Sequence, residues 1–139
     1  MPKTVKALVI TGPSTSEWAF RDVPTDLDSL QAIVGGSIEC LSFAGLELIC
    51  NEEGKNEGLP LTVALCERDG AEVILHDIIA GPLIVHGSID NRNEGAMLGL
   101  SPLQEAALKY WRDLDWRIGL RIGLAVTVDG PFIRPNMPW

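Results

Sequence analysis

Ser29-Leu-Gln-Ala-Ile-Val-Gly-Gly-Ser-Ile-Glu-Cys-Leu-Ser-Phe43 joins a short amphipathic segment to a strand-like run through two glycines. Leu27, Leu30, Ile33 and Val34 recur at helical spacing and so share one face. A glycine just past the last periodic residue suits the left-handed C-terminal cap, so Gly35 is expected to end the helix and Gly36 to release the chain into a strand. Pro24 closes whatever precedes the helix. Thr25-x-x-Asp28 has the form of a capping box, which predicts Thr25 as N-cap with Asp26 and Asp28 near the positive end of the helix dipole.

Moving outward from this joint, residues 4–10 are rich in β-branched and aliphatic side chains, and residues 17–23 place Trp18 and Phe20 on one strand face. Two antiparallel strands are predicted there. Downstream, residues 38–43, a tight turn at Ala44-Gly45, and residues 46–51 read as a second hairpin. The polar, glycine-punctuated stretch 51–58 reads as a surface loop, and residues 59–65 as a short helical turn after Pro60. Residues 72–79 and, beyond Gly81-Pro82, residues 83–86 read as further strands. Helices packed on a mostly antiparallel sheet make an α+β domain.

Residues 87–99 read as a loop. Ser101-x-x-Gln104 is a second capping box with Pro102 at the first helical position, opening the longest helix. Leu103, Ala107, Tyr110, Trp111, Leu114 and Ile118 are expected to form its core face. From Ile118 the period changes to two: Ile118, Leu120, Ile122, Leu124, Val126 and Val128 alternate with Gly119, Arg121, Gly123, Ala125, Thr127 and Asp129. A long C-terminal strand over residues 118–128 is predicted, followed by a proline-rich tail. A strand of that length needs its edge or apolar face covered. Ile118, Leu120, Ile122 and Leu124 are therefore the expected oligomer interface, and a homodimer the simplest closed form.

The chain has 139 residues, enough for a single domain over 1–139, and a formal net charge of −8. That charge disfavours duplex nucleic acid, whose non-specific affinity comes from basic residues. No stretch reaches the roughly 18 apolar residues of a membrane span, and the N-terminus lacks a secretory layout, so a cytoplasmic protein is expected. Cys40, Cys50 and Cys66 are odd in number and lack metal or redox spacing, which predicts reduced thiols. Cys40 and Cys50 would face each other only if their hairpin carried one extra residue.

The joined features Leu30-Gln-x-Ile-Val-Gly-Gly-x-Ile-Glu39, Asn51-Glu-Glu-Gly-Lys55, Gly58-Leu-Pro60, Ala64-Leu65 and Ile79-Ala-Gly81 resemble a small domain-of-unknown-function family of bacteriophage and mobile-element proteins. The resemblance runs from about Val5 to about Gly87, which makes residues 1–90 the family-like core and residues 91–139 the long helix, strand and tail. In that family the Leu-Pro pair is usually followed by asparagine, where this chain has Thr62. The resemblance implies fold and provenance in phages or other mobile elements. It implies no enzymatic activity.

Few residues suggest chemistry. His76, His86, Asp77 and Asp90 are the only histidine-bearing metal candidates, and two histidines in apolar runs are better read as hydrogen-bonded core imidazoles than as zinc ligands. No metal or cofactor is expected. Glu52, Glu53 and Lys55 sit together on the polar loop as a candidate contact surface. Arg112, Trp116, Arg117 and Arg121 combine an indole with cations, as binding hot spots do. The expected function is a non-catalytic accessory protein that binds a host protein and self-associates. The alternative is an anti-defence sponge that sequesters a nucleotide immune signal, with arginines on its phosphates.

Overall fold

The computed structural model describes residues 3–12, 15–43, 46–69, 72–87, 89–90 and 96–113. Strands β1 (Thr4–Ile10) and β2 (Trp18–Pro24) form one antiparallel hairpin, with a short 3-10 turn (Thr15–Glu17) between them. Helix α1 (Leu27–Val34) follows, then the hairpin of β3 (Ile38–Phe43) and β4 (Leu46–Asn51). Strands β5 (Leu61–Asp69) and β6 (Glu72–Ala80) make a separate two-stranded sheet. Strand β7 (Leu83–His86) then inserts between the two earlier hairpins, giving a five-stranded antiparallel sheet in the order β2-β1-β7-β4-β3. The predicted α+β class, mostly antiparallel with two helices, is the class observed.

Alternation along the strands sorts the core into two layers. Ala7, Val9, Val23, Ile49 and Ile84 face Leu30 and Val34 of α1. Leu8, Ile10, Leu46, Leu48, Cys50, Leu83 and Val85 face the β5–β6 hairpin through Val63, Leu65 and Ile79. Helix α2 (Pro102–Asp113) closes this second side with Leu108. All four residues of β7 are buried, as a strand covered on both faces requires. Trp18 and Phe20 share the second layer, as the sequence predicted.

The helix ends show which capping residues prevail. Gly35 takes φ 84° and its N–H donates to the Gln31 carbonyl at 2.8 Å, so the predicted glycine cap is present. The N-cap is Asp26 rather than Thr25: its carboxylate accepts from the Ser29 N–H at 3.0 Å and the Ser29 hydroxyl at 2.8 Å. These bonds hold the Asp26 carboxyl below its usual range. Thr25 is unavailable as a cap because both its N–H and its hydroxyl donate to the Lys3 carbonyl, tying β2 to the start of β1. Leu27, predicted on the buried face, stands 55% exposed in the first turn. At α2 the capping box is reciprocal, with the Ser101 N–H donating to Gln104 Oε1 and the Gln104 N–H to Ser101 Oγ.

Other expectations are corrected. Residues 61–65 belong to strand β5, because their apolar side chains at alternate positions, Val63 and Leu65, are needed under the five-stranded sheet. Of the predicted α2 face Leu103 is 50% exposed, whereas Gln104 and Leu108 are buried; the side chains of Ala107, Tyr110 and Trp111, and residues Leu114 and Ile118, lie outside what the structure describes. Lys109 instead lies over the Phe20 ring, 5.4 Å from its centroid, and pairs with Glu105. The predicted loop 87–99 contains a small ribbon of β8 (Ile89–Asp90) and β9 (Ala96–Met97). Cys40 opposes Ile49 and Cys50 opposes Glu39, so the two thiols point to opposite faces and both are free. The predicted strand 118–128 lies outside the described residues. Among the described residues no helix is long and apolar enough to cross a membrane.

Thr62 fixes the approach to β7. Leu61 pairs with Ala80 and Val63 with Ile79, which leaves Thr62 as the extra residue of a β-bulge. Its buried hydroxyl reaches the Gly81 carbonyl at 2.8 Å and the Ile79 carbonyl at 3.1 Å, while the Gly81 N–H donates to the Pro60 carbonyl. We expect Thr62→Val to lower stability by about 1–3 kcal/mol, since it removes the donor from two buried carbonyls. Thr62→Ser should retain most of it. Urea unfolding of the two variants measures this, and equal midpoints would show that the hydroxyl does not brace the turn.

Candidate functional site

Two surfaces flank the β3–β4 hairpin. The first is the loop after β4, where the sequence placed Glu52, Glu53 and Lys55. Asn51 anchors it: its side-chain amide donates to the Val34 carbonyl at 3.2 Å, and its Oδ1 accepts from the Glu53 N–H at 2.8 Å. Gly54 is pressed against β6, where a β-carbon would sit 2.4 Å from the Ala80 carbonyl oxygen. The loop is thereby held rigidly over a small polar cleft of about 200 Å³ between Glu39, Glu52 and Asp77. Lys55 does not project as a free cation, because its Nζ pairs with Asp77 Oδ1 at 2.8 Å. Glu53 accepts from the Asn56 amide. The loop presents Glu52 and Glu53 to solvent and offers no buried carboxylate suited to acid–base chemistry.

On the other face of the sheet, the second surface is a cleft of about 320 Å³ between α1 and the β8–β9 ribbon. Leu30, Ile38, Ile49, Ala96 and Met97 give it apolar walls, and Cys40, His86, Thr25 and Lys3 supply its polar groups. Strand register places these residues: Ile38 and Cys40 lie on the α1 face of β3, Ile49 opposes Cys40, and Ile84 opposes Ile49. Glu47 and His86 form the next row, with Ser42 donating to Glu47 at 2.7 Å.

His86 is only 3% exposed. Its Nδ1 lies 3.3 Å from the Leu98 carbonyl, an atom that can only accept, which favours the tautomer protonated at Nδ1 in the neutral ring. Burial holds the imidazole below its ordinary pKa, outweighing the Leu98 hydrogen bond, Glu47 and a backbone hydrogen bond to Gly87, which act the other way. Cys40 is also kept neutral: desolvation, then Glu47 and Glu39, push its thiol up. On the opposite face, burial, Glu39 and Asp77 push Cys50 up to about 11. Cys40 and His86 are separated by the whole of β4, about 9–10 Å at two strand spacings. A nucleophile and its base need hydrogen-bond contact. This pair has neither the contact nor the charge.

The sequence singled out His86 as a core imidazole but did not place it beside Cys40, because the cleft draws on six separate segments. The available signal was parity: Ile38 and Cys40 on β3, and Ile84 and His86 on β7, share the phase of the strand residues that meet α1. His86 and Asp77 stand on opposite sides of the sheet and cannot share an ion. Among the described residues no group of three His, Cys, Asp or Glu side chains is arranged to hold a metal. Arg112 lies in α2, while Trp116, Arg117, Arg121 and the predicted interface residues Ile118, Leu120, Ile122 and Leu124 lie outside the described residues.

A neutral buried histidine gives stability a definite pH dependence. The unfolded chain binds a proton near pH 6.5, whereas the native imidazole resists it, so the native advantage is complete above that pH and falls as pH drops below it. Thermal melts from pH 8 to pH 5 are expected to show a steeper loss for the wild type than for His86→Gln. Parallel curves would mean that His86 titrates alike in both states.

No curated protein and no solved structure matches the chain. A family model does match, over residues 5–114, which carries the likeness past the quoted motifs and through α2. Spanning both hairpins, β7 and both helices, the match shows that the chain belongs to the domain-of-unknown-function family DUF3846.

Proposed function

We propose that the protein is a non-catalytic accessory protein of a bacteriophage or other mobile element that acts by binding a host protein. The observation supporting this reading is the chemistry of the α1-face cleft. Its walls are apolar, its imidazole and thiol are both held neutral, and strand β4 keeps them apart. Such a site favours binding by burial of apolar groups over proton transfer or nucleophilic attack. Among the described residues Lys3 is the one cation lining it, a poor match for phosphates, which supports a protein ligand over a nucleotide. The rigid acidic loop carrying Glu52 and Glu53 supplies a second contact surface on the other side of β4. The motifs quoted from residues 30–81 support the mobile-element provenance. The two-residue alternation of Ile118, Leu120, Ile122 and Leu124 supports self-association as a homodimer in the host cytoplasm.

Affinity capture from bacterial lysate, with wild type and Cys40→Trp as paired baits, tests the binding reading. A host protein retained by the wild type and depleted at least tenfold on the filled cleft is expected. Turnover of any substrate that is lost in His86→Gln would overturn the non-catalytic assignment. Sedimentation equilibrium tests self-association separately. A dimer is expected at micromolar concentration, and a monomer at ~100 μM would remove that part of the proposal.

A further inference from the structure

His86 has neighbours of two kinds. Strands β1 and β4 flank it within the sheet. Residues 96–100, which end the β8–β9 ribbon and lead into α2, reach it from outside the sheet. The Leu98 carbonyl lies 3.3 Å from His86 Nδ1 and also accepts from the Gly87 N–H at 3.0 Å, while the Leu100 N–H donates to the Lys6 carbonyl at 2.9 Å. Among the described residues these two backbone bonds dock the segment beside β7 and β1. The backbones meet closely there: a β-carbon on Gly87 would overlap the Gly99 carbonyl oxygen, and one on Gly99 would stand 3.0 Å from the Lys6 nitrogen. The contact is close but shallow. Leu98 is 38% exposed, and Ala96, Met97 and Gly99 are half-buried. Ala96 and Met97 also line the α1-face cleft.

A proton on a ring that is 3% exposed creates a charge with little water around it. Glu47 on β4, directly across from His86, favours that proton, as do the backbone groups of Leu98 and Gly87. Lys3 at the cleft and Arg21 on β2, in the same row beyond Ala7, act against it, and Cys40 on β3 is held neutral. On β8, Asp90 stands opposite Ala96. Residues 96–100 bring no charge of their own. Burial prevails over the favourable groups, so the charged ring gains by reaching water. Moving β1 or β4 would break the core, whereas residues 96–100 are the cover held least firmly. We propose that residues 96–100 are a pH-responsive strap: a proton taken up by His86 releases them from Gly87 and Lys6 and opens the Ala96–Met97 wall of the cleft. The docked form resists the proton, so it is fully favoured above about pH 6.5 and loses ground as pH falls below that value. In acid the cleft loses an apolar wall, and a ligand held there by apolar burial binds less tightly. That last consequence, unlike the opening itself, rests on the protein-binding reading.

Native-state amide exchange of the full chain, resolved by residue and corrected for the intrinsic effect of pH, tests the strap at pH 7.5 and pH 5.5. The Gly87 and Leu100 amides are expected to lose about five- to tenfold in protection on acidification, the range open to one imidazole proton over that interval. Their exchange should depend little on low urea, whereas amides of the β3–β4 hairpin should open with the steep urea dependence of global unfolding. In His86→Gln the loss is expected to disappear. A second variant acts from the strap side: the methyl of Gly99→Ala presses on the Lys6 backbone and should move the midpoint of the His86 ring titration, read by NMR, up toward pH 6.5. Protection at Gly87 and Leu100 that is unchanged by pH, or lost only through the urea-sensitive opening shared with β3–β4, would overturn the inference. So would an unmoved His86 midpoint in Gly99→Ala. Both readouts use the protein alone, so their failure leaves the protein-binding reading standing, and failed capture of a host protein leaves the strap standing.

Discussion

The fold depends on four residues. Among the described residues Leu83, Ile84, Val85 and His86 form the strand that joins the β1–β2 hairpin to the β3–β4 hairpin: Val85 lies between Leu8 and Leu48, Ile84 between Val9 and Ile49, and Leu83 between Ile10 and Cys50. Each hairpin is local in sequence, but their union must wait for a strand that arrives more than thirty residues after β4 ends. The intervening β5–β6 hairpin fills this gap usefully, because it delivers Val63, Leu65 and Ile79 to the face that β7 completes. Loop closure of this kind slows folding more than it weakens the folded state. The Thr62 hydroxyl on Gly81 and the Gly81 N–H on Pro60 hold the turn that aims β7 into its slot.

Local chemistry was legible and distant chemistry was not. Gly35, the Ser101/Gln104 capping box and both early hairpins could be read because each is decided within a few neighbouring residues. Thr25 misled because a residue 22 positions earlier claims both of its donors. Strand β5 was hidden by Pro60 and by the bulge at Thr62, which breaks the alternation where a strand would have been recognised. The places of Leu108 in the core and of Lys109 over Phe20 of β2 follow from tertiary packing. The cleft is the extreme case, with walls contributed from the start of β1 to β9.

The two faces of the β3–β4 hairpin divide electrostatic labour. One side gathers carboxylates on a loop that Asn51 and Gly54 make rigid, with Lys55 neutralised by Asp77. The other has largely apolar walls and keeps a thiol and an imidazole in their neutral forms, with Lys3 and Glu47 beside them. Strand β3 thus has contrasting environments at successive residues.

The opposed directions of Cys40 and Cys50 also decide how the protein meets an oxidant. To bring the two sulfurs together, β3 and β4 would have to slip by one residue, turning Leu46 and Leu48 outward and Glu47 inward. Exposing two leucines costs roughly 3–6 kcal/mol before the burial of a carboxylate is counted, against the 2–4 kcal/mol a disulfide typically contributes. Strand register therefore protects this pair from internal cross-linking, and oxidation at Cys40 is directed outward, to a small thiol or to another molecule.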